Sequence, residues 1–166
     1  MTDAVEDPLA RLRAAGATIV AGVERMGPAW VVAQVDRILD AWGRVSETDR
    51  EAIRIRAATA GRDGADRVAA ALRQLFASDP ADQVVTPLQV VRTLTREPTA
   101  LLSQLGVPDV VRDPFDERTN PDDRYDLAPR TLGDLDDALA PELLVWGMAK
   151  ARVLRDRAES GGTEAQ

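Results

Sequence analysis

The residue types that could do chemistry are concentrated between Pro108 and Arg130, in the stretch PDVVRDPFDERTNPDDRYDLAPR. Hard cations such as Ca²⁺ bind carboxylate oxygens, which this stretch supplies in number. The spacing, however, lacks the glycine turn and the terminal glutamate of an EF-hand loop. Arginines alternate with the acids and can neutralise them, so the pattern favours a salt-bridged loop over a metal site. The acids are Asp109, Asp113, Asp116, Glu117, Asp122, Asp123 and Asp126, and the arginines are Arg112, Arg118, Arg124 and Arg130.

The composition of the whole chain excludes several kinds of catalytic site. Cysteine and histidine are both absent, which removes disulfides, zinc sites of the Cys/His type and nucleophile systems that depend on histidine. No Walker loop and no GxGxxG sequence is present, so nothing indicates nucleotide binding. We therefore predict no catalytic residue, no metal and no cofactor. Carboxylate pairs remain available, and the alternative hypothesis is a small carboxylate-dependent or cofactor-dependent enzyme with its site at the acidic loop 109–126.

Large apolar side chains within the acidic stretch predict that residues 113–127 are ordered and lie across the helices. A disordered segment carries few such anchors, yet this one contains Phe115 and Tyr125. We predict that the stretch forms an interaction surface with two residues of the last helix. The predicted members are Asp113, Phe115, Asp116, Arg124, Tyr125, Asp126, Trp146 and Lys150.

The last predicted helix has apolar residues on most of its surface, which predicts a central and largely buried helix. Trp146 and Lys150 are four residues apart on it, so the lysine can lie along the indole ring. A buried lysine could serve as a functional amine with a lowered pKa. A lysine that reaches past the tryptophan into solvent is more common, and we favour that arrangement. Gly147 and Ala151 share the same spacing, which allows another helix to approach closely.

The charge balance argues against nucleic acid and membrane partners. The net charge is -7, and phosphate backbones and anionic membranes repel an acidic domain. Arg50 and Arg54 share a helical face, which leaves a helix-turn-helix open, but acids surround them. Residues 61–64 (GRDG) resemble an RNA-binding GXXG loop, which needs flanking strands that we do not find. No apolar run approaches the ~20 residues of a bilayer span, so we expect no membrane insertion and a cytoplasmic location.

Apolar residues at helical spacing, separated by caps, glycines and prolines, predict an all-α fold. We expect one compact domain of six to eight helices over residues 1–159, with a long, ordered Pro/Asp/Arg-rich loop at 108–130. A flexible tail is expected at residues 160–166. The predicted segments are 7–27, 28–43, 46–61, 63–78, 86–97, 101–106, a short turn at 131–139, and a last long helix from Pro141.

Three segments resemble a family of small, all-helical actinobacterial proteins. They are Leu39–Gly43 at the end of the second predicted helix, Asp113–Leu127 in the loop, and Trp146–Ala151 in the last helix. The resemblance extends from Trp30 to Arg152 and implies a helical fold. It assigns no functional residue, because no activity is established for that family.

The hypothesis that remains after these exclusions is a non-catalytic protein-interaction or regulatory module. Its expected partner is another protein, and the sequence leaves the oligomeric state open. The partner has to recognise a surface that combines acids, arginines and aromatic rings.

Overall fold

A computed structural model describes residues 7–107 and 127–162, and every regular element within these ranges is helical. The all-α prediction is therefore confirmed for this part of the chain. The α-helices are α1 (Pro8–Trp42), α2 (Glu47–Ala77), α3 (Pro87–Val91), α4 (Arg96–Gln104) and α5 (Glu142–Gly162). Short 3₁₀ helices lie between them at Pro80–Asp82, Arg92–Thr95, Leu132–Asp134 and Asp137–Leu139.

The predicted count of six to eight helices is wrong for the described residues. Four helices have nine residues or more, and α3 has only five. One reason is that α1 continues through Gly27 and Pro28, where the sequence predicts a boundary. Proline inside a helix costs roughly 3 kcal/mol. Core packing on both sides of the proline, through buried residues such as Val23 and Val31, offsets this cost.

The second reason is that α2 continues through residues 61–64, where the sequence predicts a turn. Gly61 is buried against α1, and a Cβ added to it would lie 2.9 Å from the carbonyl oxygen of Pro28. The same Cβ would lie 3.0 Å from the Cα of Pro28. Because backbone atoms cannot rotate away, the two helices touch here only if position 61 has no side chain. Gly27 makes a similar contact, since its added Cβ would lie 2.9 Å from the Cβ of Ala65.

The hydrophobic core follows α1 along its length and has two parts. In the first, α1 residues such as Ile19 and Val23 pack against Val68 and Leu72 of α2 and against the inner face of α5. In the second, the end of α1 packs against the start of α2, against α4 and against Leu127. Since α1 contributes to both parts, it is the element on which the other helices are assembled.

Several predicted helix ends are confirmed by capping hydrogen bonds. The Asp7 carboxylate accepts a bond of 3.0 Å from the backbone N–H of Leu9 at the start of α1. The Ser46 hydroxyl accepts one of 3.1 Å from the N–H of Asp49 at the start of α2. Thr86 and Gln89 form a complete capping box before α3. Each cap satisfies a backbone N–H that the helix itself leaves without a partner.

Most of the predicted loop 108–130 lies outside the described residues, so its order and docking stay a prediction. Leu127 is buried in the second part of the core. Pro129 offers its carbonyl oxygen to Arg92, whose Nε donates a hydrogen bond of 2.9 Å. At the C-terminus, α5 continues to Gly162, so the first residues of the predicted flexible tail are helical.

Candidate functional site

α5 carries the predicted site residues that the structure describes, and its inner face belongs to the core. Trp146, Ala149 and Val153 are buried on this face, which packs against α1. The ring of Trp146 lies 6.4 Å from the ring of Phe76 between centroids, and the two planes are tilted by 58°. This aromatic contact joins α5 to the end of α2. Trp146, predicted as part of a surface, therefore lies inside the protein.

Lys150 lies along Trp146 as the spacing predicts, with Nζ 5.0 Å from the ring centroid. The same Nζ donates a hydrogen bond of 2.5 Å to the backbone carbonyl oxygen of Gln83. Lys150 is half-buried, so one donor of its ammonium group meets a backbone acceptor that the sequence did not predict. Through this bond Lys150 holds the loop that begins at Gln83 against α5.

Gln83 is a buried polar residue, only 6% exposed, and it connects this loop to α2. Its Nε2 donates hydrogen bonds of 3.1 Å to the carbonyl oxygens of Leu75 and Ser78. These bonds satisfy backbone acceptors at the C-terminal end of α2. Within the described ranges, the Oε1 of Gln83 and the indole N–H of Trp146 have no hydrogen-bond partner. A buried acceptor and a buried donor are thus left over beside Lys150, which is unfavourable for the folded protein.

The outer face of α5 is apolar although it points to solvent. Leu144 is 67% exposed and Met148 is 65% exposed. Between them, a Cβ added to Gly147 would meet no atom within 4 Å, so the space above this glycine is open. Beside these residues lies a groove of about 570 Å³ that also includes Leu88 and Ala151. We call Leu88, Leu144, Gly147, Met148 and Ala151 the α5 patch.

Other exposed apolar residues adjoin α5. In the described part of the chain, the large hydrophobic residues with high exposure are Ile55, Val84, Val85, Leu144 and Met148. Val84 and Val85 directly follow Gln83, which Lys150 holds against α5. Val85 lines a separate groove with residues of α2 and α4, so the exposed apolar residues of α5 itself are Leu144 and Met148.

The remaining predicted surface residues lie outside the described ranges, as does the acidic loop 109–126 of the enzyme hypothesis. They are Asp113, Phe115, Asp116, Arg124, Tyr125 and Asp126. Among the residues that are described, no cluster of three or more Asp or Glu residues is arranged to hold a metal ion. The enzyme hypothesis gains no support from this part of the chain.

The arginines that left a helix-turn-helix open are paired with acids of α1. The Nη1 of Arg50 lies 2.5 Å from Asp40, and the Nε of Arg54 lies 3.0 Å from Asp36. The hydrogen bond from Arg54 to Asp36, together with the attraction between their charges, raises the pKa of Arg54. These ion pairs connect α2 to α1 across the loop at residues 43–46, which gives the arginines a structural role.

Comparisons with known proteins identify no relative: no protein-family model, no curated protein and no solved structure matches the chain. Across residues 7–107 and 127–162, no helix combines the length and the apolar character that crossing a bilayer requires. The candidate site therefore has to be judged on its own geometry.

The α5 patch is absent from the sequence prediction, although the sequence contains a signal for it. Apolar residues surround most of α5, and this width predicts burial. Within the described ranges one side of α5 packs on the body, and apolar residues of the opposite side are exposed. An apolar stripe wider than the available core is a signal for a docking surface as well as for burial.

Proposed function

We propose that this chain is a non-catalytic protein-interaction module that docks through the α5 patch. The observation that supports this most strongly is the exposure of Leu144 and Met148 around the open space at Gly147. Full burial of one such side chain is worth roughly 1.5–3 kcal/mol. A cytoplasmic location and a relationship to the actinobacterial family belong to the same proposal.

The partner in this proposal is a second copy of the chain. The α5 members of the patch, Leu144, Gly147, Met148 and Ala151, follow one stripe of the helix, with spacing i, i+3, i+4 and i+7. The stripe alternates large residues with small ones, so it offers both projections and recesses. A surface with both features on one helix can be complementary to itself.

A two-fold axis between positions 147 and 148 matches these features when two α5 helices pack antiparallel. Leu144 then faces Ala151 of the partner subunit, and the two Met148 side chains lie beside each other at the axis, next to the open space at Gly147. The contact between a large and a small residue occurs twice, as in an isologous interface. The small residues let the two helix backbones approach closely, which the i, i+4 spacing of Gly147 and Ala151 predicts.

Lys150 has a supporting role in this interface. Its hydrogen bond to Gln83 fixes α5 against the loop that follows α2. Two helices alone bury less than the ~800 Å² per partner of a standard interface. We therefore regard Lys150 as a residue that positions α5, and we expect a dimer that dissociates on dilution.

Sedimentation velocity over a range of protein concentrations tests the proposal. We expect a monomer–dimer equilibrium at ionic strength near 0.15 M, where charge repulsion between two acidic chains is screened beyond ~8 Å. Met148→Arg should weaken the dimer by a factor of about 100 or more, because it places two like charges at the axis. The matched control is Ile55→Arg, which changes a residue of α2 that is 63% exposed.

Two results would contradict the proposal. One is a chain that stays monomeric at every concentration. The other is an association that Met148→Arg and Ile55→Arg weaken equally, since that would show that the dimer does not use the α5 patch. Circular dichroism of both variants separates a lost interface from a lost fold.

A further inference from the structure

A second groove, of about 760 Å³, lies between the first half of α1, the end of α2 and the residues that follow it, with one side chain from α5. It shares no residue with the α5 patch or the groove beside it. Its apolar wall includes Leu9, Leu12, Val20 and Phe76. The volume falls within the ~300–1,000 Å³ that is usual for small-molecule sites.

Small residues of α1 leave the space for this groove. Gly16, Ala17 and Ala21 line it, and the Phe76 ring lies so close to Gly16 that an added Cβ would be 2.9 Å from its Cγ. Ala17 and Ala21 are exposed, so no other part of the described chain covers them. The groove is therefore a recess with an aromatic wall that is open to solvent.

One of the positive charges that line the groove has no paired negative charge among the described residues. Glu24 forms an ion pair with Arg73, and Asp79 forms one of 2.8 Å with Arg157. Arg13 also lines the groove, and it has no ion pair or hydrogen bond with any residue in the described ranges. With three arginines against two carboxylates, the groove has an excess positive charge in a chain whose net charge is -7.

The groove is closed at one side by a fixed polar residue. Gln83 lines it, and the orientation of its side-chain amide is set because Nε2 donates to two carbonyl oxygens. Its Oε1 is buried and points away from solvent, so Gln83 gives the groove a rigid wall and not an additional binding group.

We propose that this groove binds a small, apolar, singly charged organic acid. The apolar part of the ligand lies against Phe76 and the leucines, and the acid group pairs with Arg13. This site goes beyond the docking function proposed above, since its residues are separate from those of the α5 patch and either site can exist without the other.

A pair of fluorescent probes tests this proposal. 8-Anilinonaphthalene-1-sulfonate has aromatic rings, one N–H group and one negative charge, and N-phenyl-1-naphthylamine is the same molecule without the sulfonate. We expect the anionic probe to bind saturably with one site per chain. We also expect Arg13→Gln to weaken binding of the anionic probe about tenfold, the order of a hydrogen bond to a charged group. The same substitution should leave binding of the neutral probe unchanged. The control Arg44→Gln, which removes an exposed arginine outside the groove, should affect neither probe.

A second pair of variants tests the location of the bound probe. Ala17→Phe fills the groove from α1 and should abolish binding of both probes. Ala33→Phe makes the same change at another exposed alanine of α1 and should preserve binding. Met148→Arg should preserve it as well, because the α5 patch is a separate surface. Melting temperatures show whether each variant remains folded.

Three outcomes would overturn the proposal. The first is no saturable binding of the anionic probe to the folded chain. The second is probe binding that survives Ala17→Phe. The third is an equal loss of affinity for the anionic probe in Arg13→Gln and Arg44→Gln. The last of these would mean that the probe responds to overall charge rather than to Arg13.

Discussion

Two aspartates show how single residues hold short turns onto distant helices. Asp79 accepts a hydrogen bond of 2.8 Å from the backbone N–H of Ala81 and pairs with Arg157 of α5. Asp136 accepts one of 3.0 Å from the N–H of Ala138 and pairs with Arg25 of α1 at 2.8 Å. In both cases the backbone hydrogen bond is the main cause that lowers the pKa of the carboxyl group, and the arginine adds to it.

The lowered pKa of Asp136 predicts how the stability of the protein depends on pH. A carboxyl group whose pKa is lower in the folded state stabilises the fold above its unfolded pKa of about 3.9. That stabilisation disappears as the pH falls through the lower, folded-state pKa. We expect Asp136→Asn to unfold at lower urea concentration than the native chain at pH 7, and the difference should shrink progressively below about pH 4.

Asp137→Asn is the matched control for this prediction, because Asp137 is the exposed neighbour in the same turn. It should leave the urea midpoint at pH 7 unchanged. A difference between Asp136→Asn and the native chain that stays constant from pH 7 to pH 2.5 would show that the carboxylate charge of Asp136 does not stabilise the fold.

At the scale of whole elements, glycines act at helix contacts as well as at helix ends. Gly43 ends α1 with a φ of 66°, as the sequence predicts. Gly61, which also resembles a helix end in the sequence, instead allows α2 to touch the backbone of Pro28. Local sequence does not separate these two roles, because the partner helix that makes the contact is remote along the chain.

A pair of glycine substitutions tests this distinction. Gly61→Ala should destabilise the protein by about 1–2 kcal/mol, because the close contact with a rigid backbone outweighs the gain in helix propensity. Gly147→Ala should stabilise the monomer by up to about 1 kcal/mol, because helix propensity acts there without a contact. Chemical denaturation measures both values at protein concentrations below the dissociation constant of the proposed dimer, where the chain is monomeric. A stabilising Gly61→Ala would mean that α1 and α2 are not in close contact at this position.

Features that depend on neighbouring residues are predicted from the sequence, and features that depend on remote contacts are not. Caps at Asp7, Ser46 and Thr86 are local features, and their helix starts are predicted correctly. The continuity of α1 through Pro28 depends on burial on both sides of the proline, which is a tertiary property. The two faces of α5 are likewise decided by which neighbours are available to cover them. The groove at Arg13 was not predicted, since its wall comes from parts of the chain that are far apart in sequence.

At the scale of the whole molecule, α1 and α2 form a helical body, and we propose that it has two separate binding surfaces. The α5 patch has an exposed apolar stripe, and the groove lined by Arg13 and Gln83 has an excess positive charge. The rest of the described α1–α2 surface includes ion pairs such as Arg54–Asp36 and Arg50–Asp40, which tie the two helices together. We therefore expect association through α5 to leave the body and the groove unchanged.

The most direct test of this account uses the absence of cysteine from the chain. A single Met148→Cys substitution places a thiol beside the proposed two-fold axis, and a disulfide requires Cα atoms about 4.4–6.8 Å apart. Ile55→Cys places an equally exposed thiol on α2 as the control. Under mild oxidation at a concentration where the dimer is populated, we predict rapid formation of a covalent dimer from Met148→Cys and slow, collision-limited formation from Ile55→Cys. Equal rates for the two variants would contradict the proposal that two copies meet at the α5 patch.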